Sequence, residues 1–382
     1  MRRVGITDET GSRTCGEMLL RAGNELRSPA SKLKKSLKRQ LFFLCVAQVF
    51  AFVLPASPNF AQDSGDYSKG LASFRVGDYE RAAELFRKAD AAAPGATDAL
   101  LLAAKSLVHL EKYSEAEVAL RAFLAKHPDS ADALYLLGFV LHRENRPADS
   151  LEVYTKAAAR QPPTSDDLKI VGLNYVLLDD YPSAIRWLEK AVEMDPKNSE
   201  AWYFLGRAYY TRSRLSDAKA AFDKALQLNP KDAKAENNLG LILESEARPA
   251  EAIEAYKQAI VWQQNTARPS EQPYLNLGSI LLELERNDEA LPPLEQAVKF
   301  APRNALCRLK LGIAYLRVRK LDRAQNELEE AARLDPENAA VHFQLGKLYK
   351  QTNDLDHARK EFARAEEIQS RATAATVPKP KQ

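Results

Sequence analysis

Chemistry in a chain of 382 residues would need a nucleophile beside a base, a set of metal ligands or a phosphate-cradling loop. The histidines that could serve are His109, His127, His142, His342 and His357. No two of them stand four residues apart, the spacing that places two ring nitrogens on one helical face around zinc. Of the cysteines, Cys15 and Cys45 fall in the N-terminal region before Gln62, so Cys307 is the only thiol beyond it and no intrachain disulfide is expected there. A Gly-rich phosphate loop, an HExxH helix, a CxxC pair and a nucleophile elbow are all missing from the sequence. These absences predict no catalytic residues, no metal, no cofactor and no enzymatic activity, which leaves binding as the work to be explained.

The elements that would present a binding surface are legible in the composition. Hydrophobic residues make up 45% and charged residues 28%, with only 15 Gly and 20 Pro, a balance suited to long amphipathic helices. The net charge of +3 comes from the N-terminal region, since residues 1–61 hold ten Lys/Arg and four Asp/Glu and the remainder is near neutral. An evenly mixed chain carries no electrostatic footprint for nucleic acid. In the N-terminal region, Lys32, Lys34, Lys35, Lys38 and Arg39 precede an apolar run from Leu41 to Leu54 that ends at Pro55. That order is the order of a signal peptide, with Ala56 and Ala61 as small residues for cleavage. The apolar run is shorter than the roughly 20 residues a membrane span needs, and an uncleaved anchor is the alternative. A true start at Met18 would account for residues 1–30 as well as a long leader does.

Beyond the leader the sequence is periodic. Gly138, Gly172, Gly206 and Gly240 recur at one constant step, and after a single step four positions longer, to Gly278, the same period resumes at Gly312 and Gly346. The same slot falls on Gly70 and Ala104. Nine repeats follow, starting at 63, 97, 131, 165, 199, 233, 271, 305 and 339, and such a period means a solenoid. In the repeat at 199, Trp202, Leu205, Gly206 and Tyr209 line one face of a first helix, while Ala218, Phe222 and Ala225 line one face of a second. Small and large residues alternate because two backbones approach closely at Gly206 and Ala218. Pro94, Pro128, Pro162, Pro196, Pro230, Pro302 and Pro336 end the second helices. Ser130, Thr164, Asn198, Asp232, Ser270, Asn304 and Asn338 are then expected to cap the first helices that follow.

On these residues the chain resembles the tetratricopeptide repeat (TPR) family over about residues 63–370. The resemblance implies an all-α fold, an α-α superhelix of antiparallel helix pairs whose first helices line a concave groove for peptides or partner proteins. Residues 1–61 are then the leader and residues 371–382, which have no apolar stripe, a disordered tail. Four extra residues around 266–270, together with Pro292 and Pro293, mark 262–293 as the expected hinge or kink. Asp66, Lys69 and Ser73 make the first repeat a weak cap.

The resemblance places the groove at the second, fifth, ninth and twelfth to thirteenth positions of each repeat. It thereby implies partner contacts at Tyr135, Phe139, His142 and Arg143, at Lys169 and Leu173, at Tyr203, Arg207 and Tyr210, and at Asn237 and Glu244. Rings beside a guanidinium carry much interface energy, but the same rings could instead pack on a neighbouring repeat. Asn238 and Asn276 share the sixth position and form two rungs of an amide ladder, resembling that of O-linked N-acetylglucosamine transferases, or are solvated surface amides. Leu275, Leu282, Leu309, Ile313, Leu316 and Phe343 are expected to make the C-terminal groove apolar, for an apolar peptide segment or for self-association. The functional expectation is a protein-binding scaffold of the bacterial cell envelope, periplasmic or secreted. The alternatives are an assembly factor anchored in the inner membrane facing the periplasm, the substrate-recruiting arm of an enzyme complex such as a glycosyltransferase, and a structural oligomer.

Overall fold

The computed structural model describes residues 65–376 apart from 93, 95–97 and 265, with side chains up to 373. The expected leader, residues 1–61, lies outside the described residues, as do residues 377–382. Eighteen helices and no strand are found among the described residues. They are α1 Gly65–Arg75, α2 Tyr79–Ala92, α3 Ala99–His109, α4 Tyr113–Lys126, α5 Ala131–Arg143, α6 Pro147–Ala158, α7 Ser165–Leu177, α8 Tyr181–Met194, α9 Ser199–Thr211 and α10 Leu215–Leu228. These belong to one compact unit. A second, from Asn229 onward, holds α11 Ala233–Ser245, α12 Pro249–Gln263, α13 Gln272–Glu283, α14 Asn287–Phe300, α15 Ala305–Arg317, α16 Leu321–Leu334, α17 Ala339–Gln351 and α18 Leu355–Thr376. Each odd-numbered helix packs on the even-numbered helix after it, and from α3 onward successive odd helices within each compact unit also touch.

Helix starts follow local side-chain chemistry. Ser130, Thr164, Asn198, Asp232, Asn304 and Asn338 each accept a hydrogen bond from a first-turn amide, and Thr164 forms a full capping box with Asp167. Ser270 is the exception. The cap position of α13 is Glu271, and the Ser270 hydroxyl accepts instead from the Gln272 amide. The turn inside each pair from the second onward has its own signature: Glu111, Asn145, Asp179, Ser213, Ala247, Glu285, Arg319 and Asn353 all take φ between 56° and 63°. Each is followed by an amide that reaches back to the last turn of the preceding helix, as Arg248 N does to Leu243 O at 2.9 Å. Ala247 has no polar side chain to offset this left-handed conformation. Ala247→Gly is therefore expected to raise stability by about 0.5–1 kcal/mol, read as a higher urea midpoint at unchanged slope.

The glycine slots work as the periodicity predicts. A β-carbon on Gly206 would lie 2.7 Å from the Phe222 ring, and one on Gly240 would lie 2.4 Å from Tyr256. The same ring also meets the fifth residue of the repeat, one turn before the glycine slot on the first helix. Tyr67 meets Phe86, Tyr135 meets Tyr154, Tyr203 meets Phe222 and Phe343 meets Phe362, with centroids 5.6–5.9 Å apart.

Two expectations about the second compact unit are corrected. Residues 262–293 are not a break in the core, because one apolar cluster runs continuously from Ala252 to Leu348. The four-residue insertion is stapled instead: buried Gln263 donates to Ser270 O and accepts from Ser270 N, both at 2.9 Å. Pro292 and Pro293 lie inside α14, which persists because Ala290, Leu291, Leu294 and Ala297 are buried. At the other end α18 continues past Ser370 to Thr376. No Pro interrupts it there, and Arg371 bonds Glu337 at 2.8 Å.

Cys307 sits in this cluster with no exposed surface. Burial, and secondarily the Glu271 carboxylate, push its thiol up to about 12. It should resist thiol reagents in the native chain and react fully in denaturant, a difference that Ellman titration reads directly.

Candidate binding faces

Successive first helices lie side by side, so each compact unit has a face built from them. On the first unit the structure divides the expected groove residues into two groups. Tyr135 and Tyr203 are packing residues. The Tyr135 ring rests near Tyr154 and its hydroxyl donates to Gln161 O at 2.6 Å, while Tyr203 is 8% exposed against Phe222. Leu173 is buried as well. Phe139, Arg143, Arg207 and Tyr210 remain half-exposed on the face. The Arg143 guanidinium lies 4.7 Å from the Tyr113 centroid and 5.9 Å from that of Phe139. His109 is stacked on Tyr79 in the same register one pair earlier, 4.1 Å between centroids.

Lys169 is buried, and its ammonium bridges Asp166 at 2.8 Å and Glu200 at 2.7 Å. Burial alone would lower its pKa, but Glu200 and Asp166 outweigh that and raise it. This lysine therefore ties α7 to α9. Asn198 joins it by donating to Asp166 and to Ser165, which leaves little of the cluster for a ligand.

His142 is also buried, and it is the centre of a polar network. Its Nδ1 lies 2.9 Å from Asn174 Oδ1, Asn174 Nδ2 donates to Ser150 Oγ at 2.8 Å, and Ser150 Oγ donates to Gly138 O at 2.6 Å. Three helices, α5, α6 and α7, are thereby joined through their interior. Neutral polar groups in such a place are tolerable only because each finds a partner.

In the second compact unit the amides do not form a ladder in register. Asn276 donates to Asn237 Oδ1 at 2.9 Å, Asn237 being buried, whereas Asn238 turns back to Lys234 O on its own helix. Glu244 accepts from the Tyr256 hydroxyl. Leu275, Leu282, Leu309 and Leu316 are at most 5% exposed, because those positions lie in the seams between adjacent first helices. Of the expected apolar surface only Phe343, 45% exposed, and partly buried Ile313 are reachable, and Leu306 joins them at 46%.

Two further sets of bonds recur in register and were not anticipated. The fourth residue of the repeat donates to the carbonyl of the preceding Pro: Trp202 to Pro196, Arg308 to Pro302 and His342 to Pro336. Trp202, expected in the core, is half-buried for this reason. Across successive pairs, Tyr209 donates to Glu189, Tyr315 to Glu295 and Tyr349 to Glu329. Aligning the repeats in rows would have exposed both sets as columns.

Stacked helix pairs with two first-helix faces, and no converging group of three metal-ligating side chains among the described residues, define an all-α repeat scaffold. The chain belongs to the tetratricopeptide repeat family. One model of that family matches residues 101–165, 207–271 and 309–373, together half of the chain; others match 176–237 and 271–304. A model for anaphase-promoting complex, cyclosome, subunit 3 matches 53–123. Among solved structures, the chain is similar to the Cut9-Hcn1 hetero-tetramer, at 16% identity over 79% of this chain and 72% of the other, with a TM-score of 0.53. A tetratricopeptide repeat protein from Parabacteroides merdae is 19% identical over 65% of this chain and 96% of its own, with a TM-score of 0.51. YrrB, described as having an unusual peptide-binding site, is 23% identical over 48% and 92%, with a TM-score of 0.41. No curated protein matches the chain. The family models and the two structures with TM-scores above 0.5 fix the fold, and a repeat scaffold of this family is consistent with protein–protein interaction.

Proposed function

We propose that the chain is a non-catalytic adaptor of the bacterial cell envelope. It binds protein or peptide partners on its first-helix faces, on the periplasmic side to which the leader directs it. The observation that carries the binding role is Arg143. Its guanidinium is oriented by Tyr113 and Phe139 on a half-exposed face, and no carboxylate pairs with it among the described residues. A cation fixed by rings keeps its hydrogen-bond donors directed outward, the arrangement found at interface hot spots. Arg207 and Tyr210 extend the surface on α9. The envelope location rests on the basic-then-apolar order of residues 32–61.

The test is affinity capture with the full-length tagged chain in its host, comparing wild type with Arg143→Ala/Arg207→Ala. Both side chains lie on the face and outside the core, so helicity should be unchanged by circular dichroism. The expected result is a specific envelope protein whose recovery falls at least about tenfold in the double variant. Equal recovery from both chains would remove the surface assignment, and recovery of the chain alone as a defined oligomer would replace the adaptor with a structural role. Mass-spectrometric detection of residues 41–57 in the isolated protein would assign the membrane-anchored form.

A further inference from the structure

The last two first helices of the second compact unit differ in charge from the two before them. Helix α15 carries Arg308, Lys310 and Arg317, and α17 carries His342, Lys347 and Lys350, and neither contains an acidic residue. By contrast α11 holds Glu236 and Glu244, and α13 ends at Glu283. This local excess of cations stands in a chain that beyond residue 61 has 48 acidic residues against 45 basic ones. It is a feature of these two helices, not a reflection of general basicity.

Many cations elsewhere in the unit are paired with carboxylates. Arg248 pairs with Glu246 and Glu251, Arg286 with Glu289, Arg333 with Glu330, Arg364 with Glu337 and Glu367, and on α15 itself Arg308 with Glu327. Lys310, Arg317, Lys347 and Lys350 have no such carboxylate partner among the described residues. Arg317 is positioned by neutral oxygens, the Leu282 carbonyl and Asn287 Oδ1, and Lys347 Nζ sits 4.7 Å from the Phe343 centroid.

The four cations fall in two stripes with the exposed apolar residues. Leu306, Lys310, Ile313 and Arg317 recur at helical spacing on the face of α15 opposite buried Leu311, Gly312 and Tyr315. Ala340, Phe343, Lys347 and Lys350 do the same on α17, away from Val341, Leu345 and Leu348. The two helices are neighbours, so the stripes run side by side, each roughly 17 Å long at 1.5 Å per residue. Two exposed apolar side chains offer a membrane little area for insertion. A polypeptide segment can lie along both rows and meet the charges and Phe343 together.

We infer that the paired stripes of α15 and α17 dock an acidic amphipathic segment of another protein. The inference deepens the scaffold reading above and rests on it, naming the chemistry of one partner. Its charges meet Lys310, Arg317, Lys347 and Lys350, and an apolar side chain meets Phe343 and Leu306.

Fluorescence anisotropy with the full-length chain tests this, using a labelled peptide of about 16 residues built from Glu, Asp, Leu and Phe, long enough to span the stripes. Counterparts replace the acids by Lys or by Gln. The acidic peptide should bind and the other two should not, and affinity should fall steeply with added salt. Lys310→Glu/Lys347→Glu/Lys350→Glu should weaken binding at least about tenfold, as expected for three lost charge contacts turned repulsive. Phe343→Ala should weaken it several-fold. Equal binding of the basic peptide, no binding of the acidic one, or indifference to the triple charge reversal would each overturn the proposal. So would preferential sedimentation with phosphatidylglycerol vesicles, or a dimer by light scattering that the same reversal dissociates. None of these outcomes bears on capture through Arg143, which the preceding experiment reads separately.

Discussion

Truncating Phe222 to alanine is expected to lower the stability of the α9–α10 pair by about 3–5 kcal/mol, the range for removing a fully buried aromatic ring. The ring has no exposed surface, and it packs on the bare backbone of Gly206 and against the Tyr203 ring, both on α9. Neither neighbour can collapse into the space it leaves, since one is already backbone and the other is held in its own helix. Because each pair in a solenoid contacts only its neighbours, the loss should appear first as faster hydrogen exchange across 199–228, with α1–α4 protected as before. Uniform loss of protection over the whole first unit would contradict this local account. A companion cycle probes the fit itself. Gly206→Ala should cost about 1–3 kcal/mol in the wild-type chain. It should cost less in a Phe222→Leu background, because that double variant reproduces Ala104 and Leu120, which occupy the same two positions in the second helix pair, both fully buried.

That cycle depends on the feature the sequence displays most openly. A glycine recurring once per repeat, with a large apolar residue sixteen places later, is a steric requirement, and the helix pairs follow from it. The helix caps were legible for the same reason, since a polar oxygen before a helical stripe has one dominant use. Ser270 escaped because the inserted residues shift the start of α13, and no local pattern reveals that Gln263 bonds the Ser270 backbone. The binding faces were harder to read. Position in the repeat places a side chain on the first-helix face but does not say whether the next helix covers it. Lys169, Tyr203, Leu275 and Leu309 are covered, and Arg143 and Phe343 are not. The covered ones report on seams between neighbours, which depend on side-chain size on both helices at once. The buried network had a signal that went unread. Ser150 stands in a column otherwise filled by Ala from Ala116 to Ala358, and Asn174 in one filled by Val140, Ala208, Ile242, Ile280, Ala314 and Leu348, with Ser106 its only other polar member across those repeats. Ser150 and Asn174, polar intrusions on the second helix of one repeat and the first helix of the next, mark a pair that must satisfy each other.

His142 completes that network, and it should make the first compact unit acid-sensitive. Burial lowers its pKa to about 4 from 6.5; the Asn174 hydrogen bond opposes the shift, and the charges of Arg143 and Lys169 add to it. The native state therefore holds the imidazole neutral where the unfolded chain would already have bound a proton. With the folded value below the unfolded one, stability is fully present above about pH 6.5 and is lost as pH falls toward 4, where the folded state protonates too. The span corresponds to about 3 kcal/mol lost across that window. His142→Gln keeps a neutral side chain able to bond Asn174 but removes the titration. Urea unfolding at pH 7 and pH 4.5 should then show a smaller acid loss in the variant than in wild type, with the difference concentrated in exchange of amides on α5, α6 and α7. If both chains lose the same stability on acidification, the imidazole is not the acid-sensitive group.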